Sequence, residues 1–183
     1  MAPRPAPDLD LRRDRITGAA RRVAEAEGWE AVTMRRLAAE LGVTQPVLYS
    51  AFPAGRQALL DAVALAGFSA IADALEAVEA EPRARMRAYL DFARSNPRVY
   101  DAMFSMPTGM AFGTGDGPEP LRRAFAAVQA AVADRDEVEA EVVWATLHGL
   151  AALEISRRLP AVRAEARLER AGTMITERRS TAT

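Results

Sequence analysis

A chain of 183 residues, half of them hydrophobic and 27% charged, is large enough to bury a core in one unit, or in a small head on a larger body. It has no cysteine and a single histidine, His148, which excludes a disulfide framework, cysteine–zinc sites, a thiol nucleophile and any histidine-cluster metal centre. The formal charge of −1 excludes little, although residues 1–60 carry nine basic against seven acidic side chains and the rest carry fifteen against eighteen.

Alanine dominates, aromatics make up 6%, and Val/Ile/Thr-rich alternating runs are missing, so the expected fold class is all-α. No stretch approaches the ~20 uninterrupted apolar residues of a membrane span. The opening MAPRPAPDLDLRRDR lacks the apolar run of a secretory signal. The expectation is a cytoplasmic protein with no membrane partner.

In chain order, the proline-rich start reads as a disordered arm over residues 1–10. Helical periodicity begins near Leu11, with Ile16, Ala19, Ala20, Val23 and Ala24 on one stripe, and stops at Gly28 before Trp29, a core plug. Thr33 is placed to cap a helix over Met34–Leu41 that ends at Gly42, and Thr44 to cap one over Gln45–Ala51. Phe52-Pro53-Ala54-Gly55 breaks the pattern before a long helix over Arg56–Glu79. Glu81-Pro82 opens a helix to Ser95, and Asn96-Pro97 pairs a capping residue with a first-turn proline for Pro97–Ser105. Met106–Pro120, with four glycines and three prolines, reads as a loop and a candidate gate. Helices over Leu121–Ala133, Glu137–Leu159 and Val162–Glu177 follow, the second opened by an Asp136/Glu139 capping box and ended by Pro160.

Leu37 to Tyr49 carries the chemistry. Two short helices crossing through a tight turn need a small residue at the contact, which Ala38 supplies, and a residue tolerant of positive φ at the turn, which Gly42 supplies. Leu37, Leu41, Val43 and Leu48 are expected to pack inward. That leaves Thr44, Gln45, Pro46 and Ser50 outward on the third helix, which has the size to enter a major groove. An ordinary αα-corner asks for the same alanine and glycine. Three features favour a nucleic-acid reader: outward Tyr49, the Gln45 amide suited to an adenine edge, and Arg35, Arg36, Arg12, Arg13 and Arg15 around it as phosphate-seeking charge.

The run TMRRLAAELGVTQPVLYSAFPAGRQALLDAV from Thr33 resembles the DNA-binding head of the TetR (tetracycline-repressor) family. Shared features are the Thr33 cap, Leu37-Ala38, Gly42-Val43 and Leu48-Tyr49 followed by Phe52, over roughly residues 11–63. The resemblance implies phosphate bonds from Thr33 and Tyr49, a capping and backbone contact from Thr44, and base contacts from Arg35, Gln45, Pro46 and Val47. Arg56 would take the family's usual lysine role on a phosphate. Ala51 departs from a frequent histidine, and Gly55 stands as a one-residue insertion before Arg56.

The rest of the chain shows no catalytic constellation, so neither an enzyme nor a cofactor is expected. Carboxylates fall with arginines on what read as solvated faces, as in Arg83–Asp91 and Asp134–Glu141. Tyr89 and Phe92 share one helix face, and Tyr100, Met103 and Phe104 share another. With Met106, Met110 and Phe112 beside the Gly-rich loop they fit an adaptable apolar effector cavity, or else plain core. Trp144 and His148 lie one turn apart. Trp144 to Glu154 resembles the Trp-His-Gly signature of one TetR subgroup, which Asn96-Pro97, Tyr100, Met103 and Phe104 also fit. Whether His148 meets a ligand or a backbone carbonyl stays open, and Gly149 is expected to let two helices approach closely.

The family pairs two C-terminal helices with their copies, so a homodimer through Leu121–Ala133 and Glu137–Leu159 is implied. The organisation expected is a helix-turn-helix DNA-binding head over residues 11–57 and a helical-bundle effector-binding and dimerisation domain over 58–183. The expected function is a homodimeric repressor of a near-palindromic double-stranded operator, released by a small apolar effector. A helical carrier or enzyme with a vestigial head is the alternative.

Overall fold

A computed structural model of the chain describes residues 9–106, 117–132 and 136–177. Most of the loop expected over Met106–Pro120, including Met110 and Phe112, lies outside the described residues, as does the arm up to Asp8. Among the described residues the chain is all-helical, with no strand. In order the helices are α1 (Leu9–Glu27), α2 (Met34–Leu41), α3 (Gln45–Ala51), α4 (Arg56–Glu76), α5 (Pro82–Ser95), α6 (Pro97–Phe104), α7 (Glu119–Gln129), α8 (Glu137–Ile155) and α9 (Ala164–Glu177), with 3-10 turns at Trp29–Ala31 and Ala161–Arg163.

The chain divides into two compact units. The first takes residues up to Gly67 together with Arg98–Met110; the second takes Phe68–Pro97 and the residues from Ala111 on. In the first, α1, α2 and α3 pack around Ile16, Ala20, Val23, Leu37, Ala38 and Leu48, all buried. The α2–α3 turn forms as its sequence demands, with Gly42 in the left-handed region at φ 65°. Leu37 and Leu48 are buried as expected, but Leu41 is only half-buried and Val43 is 37% exposed. Val43 follows the left-handed Gly42, and its N–H goes back to the Ala38 carbonyl at 3.0 Å, which closes α2. In the second unit α5 packs on α8 and α9, and α7 packs on α8.

Several helix ends differ from the sequence reading for local reasons. The end of α8 comes at Ile155, a turn before Pro160. Arg157 adopts φ 57° and the Arg158 N–H returns to the Leu153 carbonyl at 2.9 Å, the 6→1 bond of a Schellman closure. Asn96 closes α5, its Nδ2 and its backbone N–H both donating to the Phe92 carbonyl. The α6 donors are met by Glu25 of α1, whose carboxylate accepts from the N–H groups of Arg98 at 3.2 Å and Val99 at 3.0 Å. Trp29 is buried as expected, and its Nε1 donates to the Arg98 carbonyl at 2.8 Å.

By length and composition α4 is apolar enough to cross a membrane, although Asp61 and Asp73 interrupt its apolar run. Leu59, Leu60, Val63, Ala64, Phe68, Ile71, Ala72 and Leu75 are buried within the protein, as in the core helix of a globular fold.

Candidate nucleic-acid interface

The outward face of α3 is built by what its first turn lacks. A capping side chain at Thr44 would accept from the N–H of the second or third helical residue. The second is Pro46, which has no N–H, and the Val47 N–H is taken by the Thr44 carbonyl at 3.0 Å. Thr44 therefore makes no side-chain cap, contrary to expectation, and its exposed hydroxyl faces outward uncommitted. Gln45 and Pro46 are exposed beside it, Val47 is half-buried, and Tyr49 is 45% exposed. Ser50 is exposed but engaged: its Oγ donates to the Val47 carbonyl at 2.8 Å and accepts from Arg12 at 3.3 Å.

Thr33 caps α2 as expected, its Oγ1 accepting from the Arg36 N–H at 3.1 Å. The surrounding arginines sort into two groups. Arg36 pairs with Glu27 at 2.7 Å, and Arg13 donates to the Ala51 carbonyl at 3.0 Å with its guanidinium over the Phe52 ring. Arg35 and Arg15 are exposed, and no described residue pairs with them. Arg56 is turned onto its own unit, donating from Nε to the Val32 carbonyl and from Nη2 to the Trp29 carbonyl.

The structure does not gather the seven side chains proposed for an effector into one unit. Tyr100, Met103 and Phe104 fall in the first unit, where Tyr100 and Met103 are buried, Phe104 is half-buried, and the Tyr100 and Phe104 rings sit 4.7 Å apart. Tyr89, Phe92, Trp144 and His148 fall in the second. There Trp144 donates from Nε1 to the Tyr89 hydroxyl at 3.2 Å and meets the Phe125 ring edge-on. His148 is half-buried, and burial holds its pKa below the ordinary value, so it is neutral near pH 7. A small apolar cleft, partly open to solvent, lies in the same unit but is lined by other residues, among them Met86, Val128, Val143 and Leu147. A Cβ at Gly149 would meet nothing within 4 Å, so the expected close helix approach is not made within the described chain.

The faces read as solvated hold more than that. Arg85 is buried, donating to the Glu79 and Ala127 carbonyls at 3.1 and 3.3 Å. Its position was legible, since Arg85 lies four residues before Tyr89 on the apolar stripe of α5. Glu154 sits between Arg94 and Arg167 at 2.8 Å from each. Burial alone would raise its pKa, but the hydrogen bonds from Arg94 and Arg167 outweigh it and leave the carboxylate below its usual range. Arg123 forks onto Asp73 and Glu76. No local signal marks Glu25 as the cap of α6, because its partners lie 73 and 74 residues away.

Comparison with known proteins agrees with this geometry. Residues 16–63 match the family described as bacterial regulatory proteins, tetR family. Residues 82–175, half of the chain, match the family described as Tetracyclin repressor-like, C-terminal domain. The fold is similar to that of a Rhodococcus sp. RHA1 protein of unknown function, with a TM-score of 0.72, 25% identity, and 96% of this chain and 97% of that one covered. It is also similar to BioQ of Mycobacterium smegmatis, with a TM-score of 0.59, 25% identity, and 90% and 95% covered. ActR of Streptomyces coelicolor, solved in complex with (S)-DNPA, has the fold at a TM-score of 0.57 and 20% identity over 91% of this chain and 90% of its own. No curated protein matches.

Proposed function

The chain belongs to the TetR family of bacterial transcriptional regulators, and on that premise we propose that it is a homodimeric repressor which reads a near-palindromic operator through the α3 face around Gln45. The carrying observation is that face itself. Pro46 leaves the Thr44 hydroxyl without a cap to make, and the Gln45 amide stands exposed beside it. A bidentate amide at the leading end of a groove-sized helix suits an adenine edge.

In this proposal Arg35, Gln45, Pro46 and Val47 meet bases, while Thr33, Thr44, Tyr49 and Ser50 meet the sugar–phosphate backbone. Two copies related by a two-fold axis present two reading helices, so the half-sites repeat with inverted sense. Regulators of this family are not enzymes, and no observation favours turnover or a carrier with a vestigial head. The operator sets the place of action as the cytoplasm.

A small, largely apolar effector releases the DNA. Two contacts support it: the Trp144–Tyr89 hydrogen bond in the unit that also holds Phe92 and His148, and the Tyr100–Phe104 ring pair in the unit that also holds Met103. Trp144, His148 and Gly149 also carry the assignment to the Trp-His-Gly subgroup. The fold admits a small ligand in ActR, which was solved with (S)-DNPA. α4 contributes residues to both units across Gly67 and Phe68, so it is the continuous element a ligand would shift. To change occupancy usefully the ligand must prefer the released state by about 3–5 kcal/mol.

Selection of bound duplexes from a random pool by the purified protein, at physiological salt where non-specific binding is weak, tests the proposal. The expected result is an enriched palindrome whose spacing reports the dimer. A folded sample that enriches nothing, with and without apolar ligands present, overturns it.

A further inference from the structure

Arg56 opens α4, yet its guanidinium bonds to its own unit. It donates from Nε to the Val32 carbonyl at 3.2 Å and from Nη2 to the Trp29 carbonyl at 3.0 Å. Among the described residues the Val32 carbonyl accepts from Arg56 alone. The Arg36 N–H that would reach it in a longer helix goes instead to Thr33 Oγ1. The Trp29 carbonyl also accepts from the Val32 N–H at 3.2 Å, so Arg56 fastens both ends of the 3-10 turn. Thr33 follows directly, extended at φ −121° and ψ 150°, with its oxygen accepting from Arg36 and its hydroxyl hydrogen left to donate outward.

Gly55 sets this geometry. It is buried in the left-handed region at φ 63°, its N–H donating to the Phe52 carbonyl at 2.8 Å. A Cβ there would come within 3.3 Å of Tyr49 Cε1, so only glycine gives the Tyr49 ring a bare backbone to rest on. The residue that stands as an insertion in the sequence thus carries two consequences, one on each side of it.

We propose that Gly55 and Arg56 form a positioning turn for two hydroxyls, that of Tyr49 on the reading helix and that of Thr33 at the start of α2, and that Arg56 neutralises no phosphate. Gly55 fixes Tyr49 through the ring contact; Arg56 fixes Thr33 through the Val32 carbonyl. Moving the guanidinium onto a phosphate would leave the part-buried Val32 carbonyl unpaired and strip the Trp29 carbonyl of one of its two donors, which opposes the exchange. The planar fork of arginine suits a bridge between two fixed carbonyls. The inference rests on the operator-reading role of α3.

The test titrates operator duplex with full-length wild type, Arg56→Ala, Gly55→Ala, Thr33→Ala and the Arg56→Ala/Thr33→Ala double variant over a salt series, each normalised to active protein. Arg56→Ala is expected to weaken binding about tenfold at every salt with an unchanged slope, whereas loss of a phosphate contact lowers the slope by about 0.9. Thr33→Ala is expected to weaken binding about tenfold alone and less than about twofold when Arg56 is already alanine. A merely structural role lowers the active fraction and leaves the two effects additive. Gly55→Ala keeps every charge and is expected to lose affinity with the slope intact, which retains a test where Arg56→Ala fails to fold. A flattened slope in Arg56→Ala, additive effects, or unchanged affinity in Gly55→Ala overturns the proposal. A wild type that binds no duplex sinks the regulator assignment and this inference with it; operator binding with a flattened slope sinks this inference alone.

Discussion

The arginines of α2 and α5 stand in similar company, MRRLAAEL against PRARMRAYLDFARS, and end in opposite states. On α5 every one is committed: Arg83 to Glu169 at 3.0 Å, Arg87 to Glu165, Arg94 to Asp91 and Glu154, and Arg85 to two carbonyls. On α2, Arg36 is held by Glu27 while Arg35 has no partner among the described residues, and on α3 Gln45 and the Thr44 hydroxyl are equally free of internal bonds. A donor already bonded must give up roughly 0.5–1.5 kcal/mol of net stabilisation to serve a partner. A donor with no internal bond gives up nothing but water. The same residue type thus holds a bundle in one region and is available to an external acceptor in the other.

Arg85→Ala presses hardest on the α5 side of that contrast. It removes a buried cation and leaves the Glu79 and Ala127 carbonyls without their donor, so a loss of about 2–4 kcal/mol is expected in urea unfolding. Operator affinity of the folded fraction should not change. Lost DNA binding with stability intact would mean that α5 also serves the interface, and the contrast would break. Gln45→Ala is the mirror experiment. It should weaken operator binding by about 1–3 kcal/mol and relax preference at one base pair per half-site, while unfolding moves by less than about 0.5 kcal/mol. Selectivity that survives the change, measured across operator variants, would put the reading face elsewhere.

What the sequence made legible follows the range of the forces involved. The Thr33 cap, the Gly42 turn and the α2 and α3 bounds depend on residues a few positions apart, and periodicity with capping chemistry found them. The missing Thr44 cap was legible in principle, because Pro46 removes the donor that the cap needs. The Glu25 cap of α6, the Arg56 bridge and the Glu154 ion cluster join residues that only folding brings together, and no spacing rule marks them. Arg83–Asp91 misled for a related reason. The apolar stripe marks the position of Arg85 as buried, but the Glu79 and Ala127 carbonyls that receive its guanidinium are brought there only by folding.

Two helix glycines carry the contrast from charge to packing. Gly67 lies against α6: an added Cβ would sit 2.7 Å from both Met103 Sδ and Val99 Cγ1. Gly67→Ala should therefore destabilise by about 1–3 kcal/mol, as overpacked sites do, despite the better helix propensity of alanine. Thermal unfolding that rises instead would show that the Met103 side chain yields freely.

Gly149 gives the smallest and most informative effect. Within one chain its Cβ would meet nothing, so Gly149→Ala should gain about 0.5–1 kcal/mol from helix propensity alone. It lies on the same face of α8 as Val138, 67% exposed, and Val142, 50% exposed. If the proposed homodimer brings a second copy of α8 onto that face, the added methyl enters a contact made for glycine and the gain becomes a loss. The expected outcome is weaker self-association in sedimentation together with a lower Tm at concentrations where the chain is dimeric. A gain of about 0.5–1 kcal/mol that holds at every concentration would leave this face uncovered and move the dimer contact to other helices. One methyl group thus reports through its sign what the exposed valines alone do not: whether the open face of α8 is surface or interface.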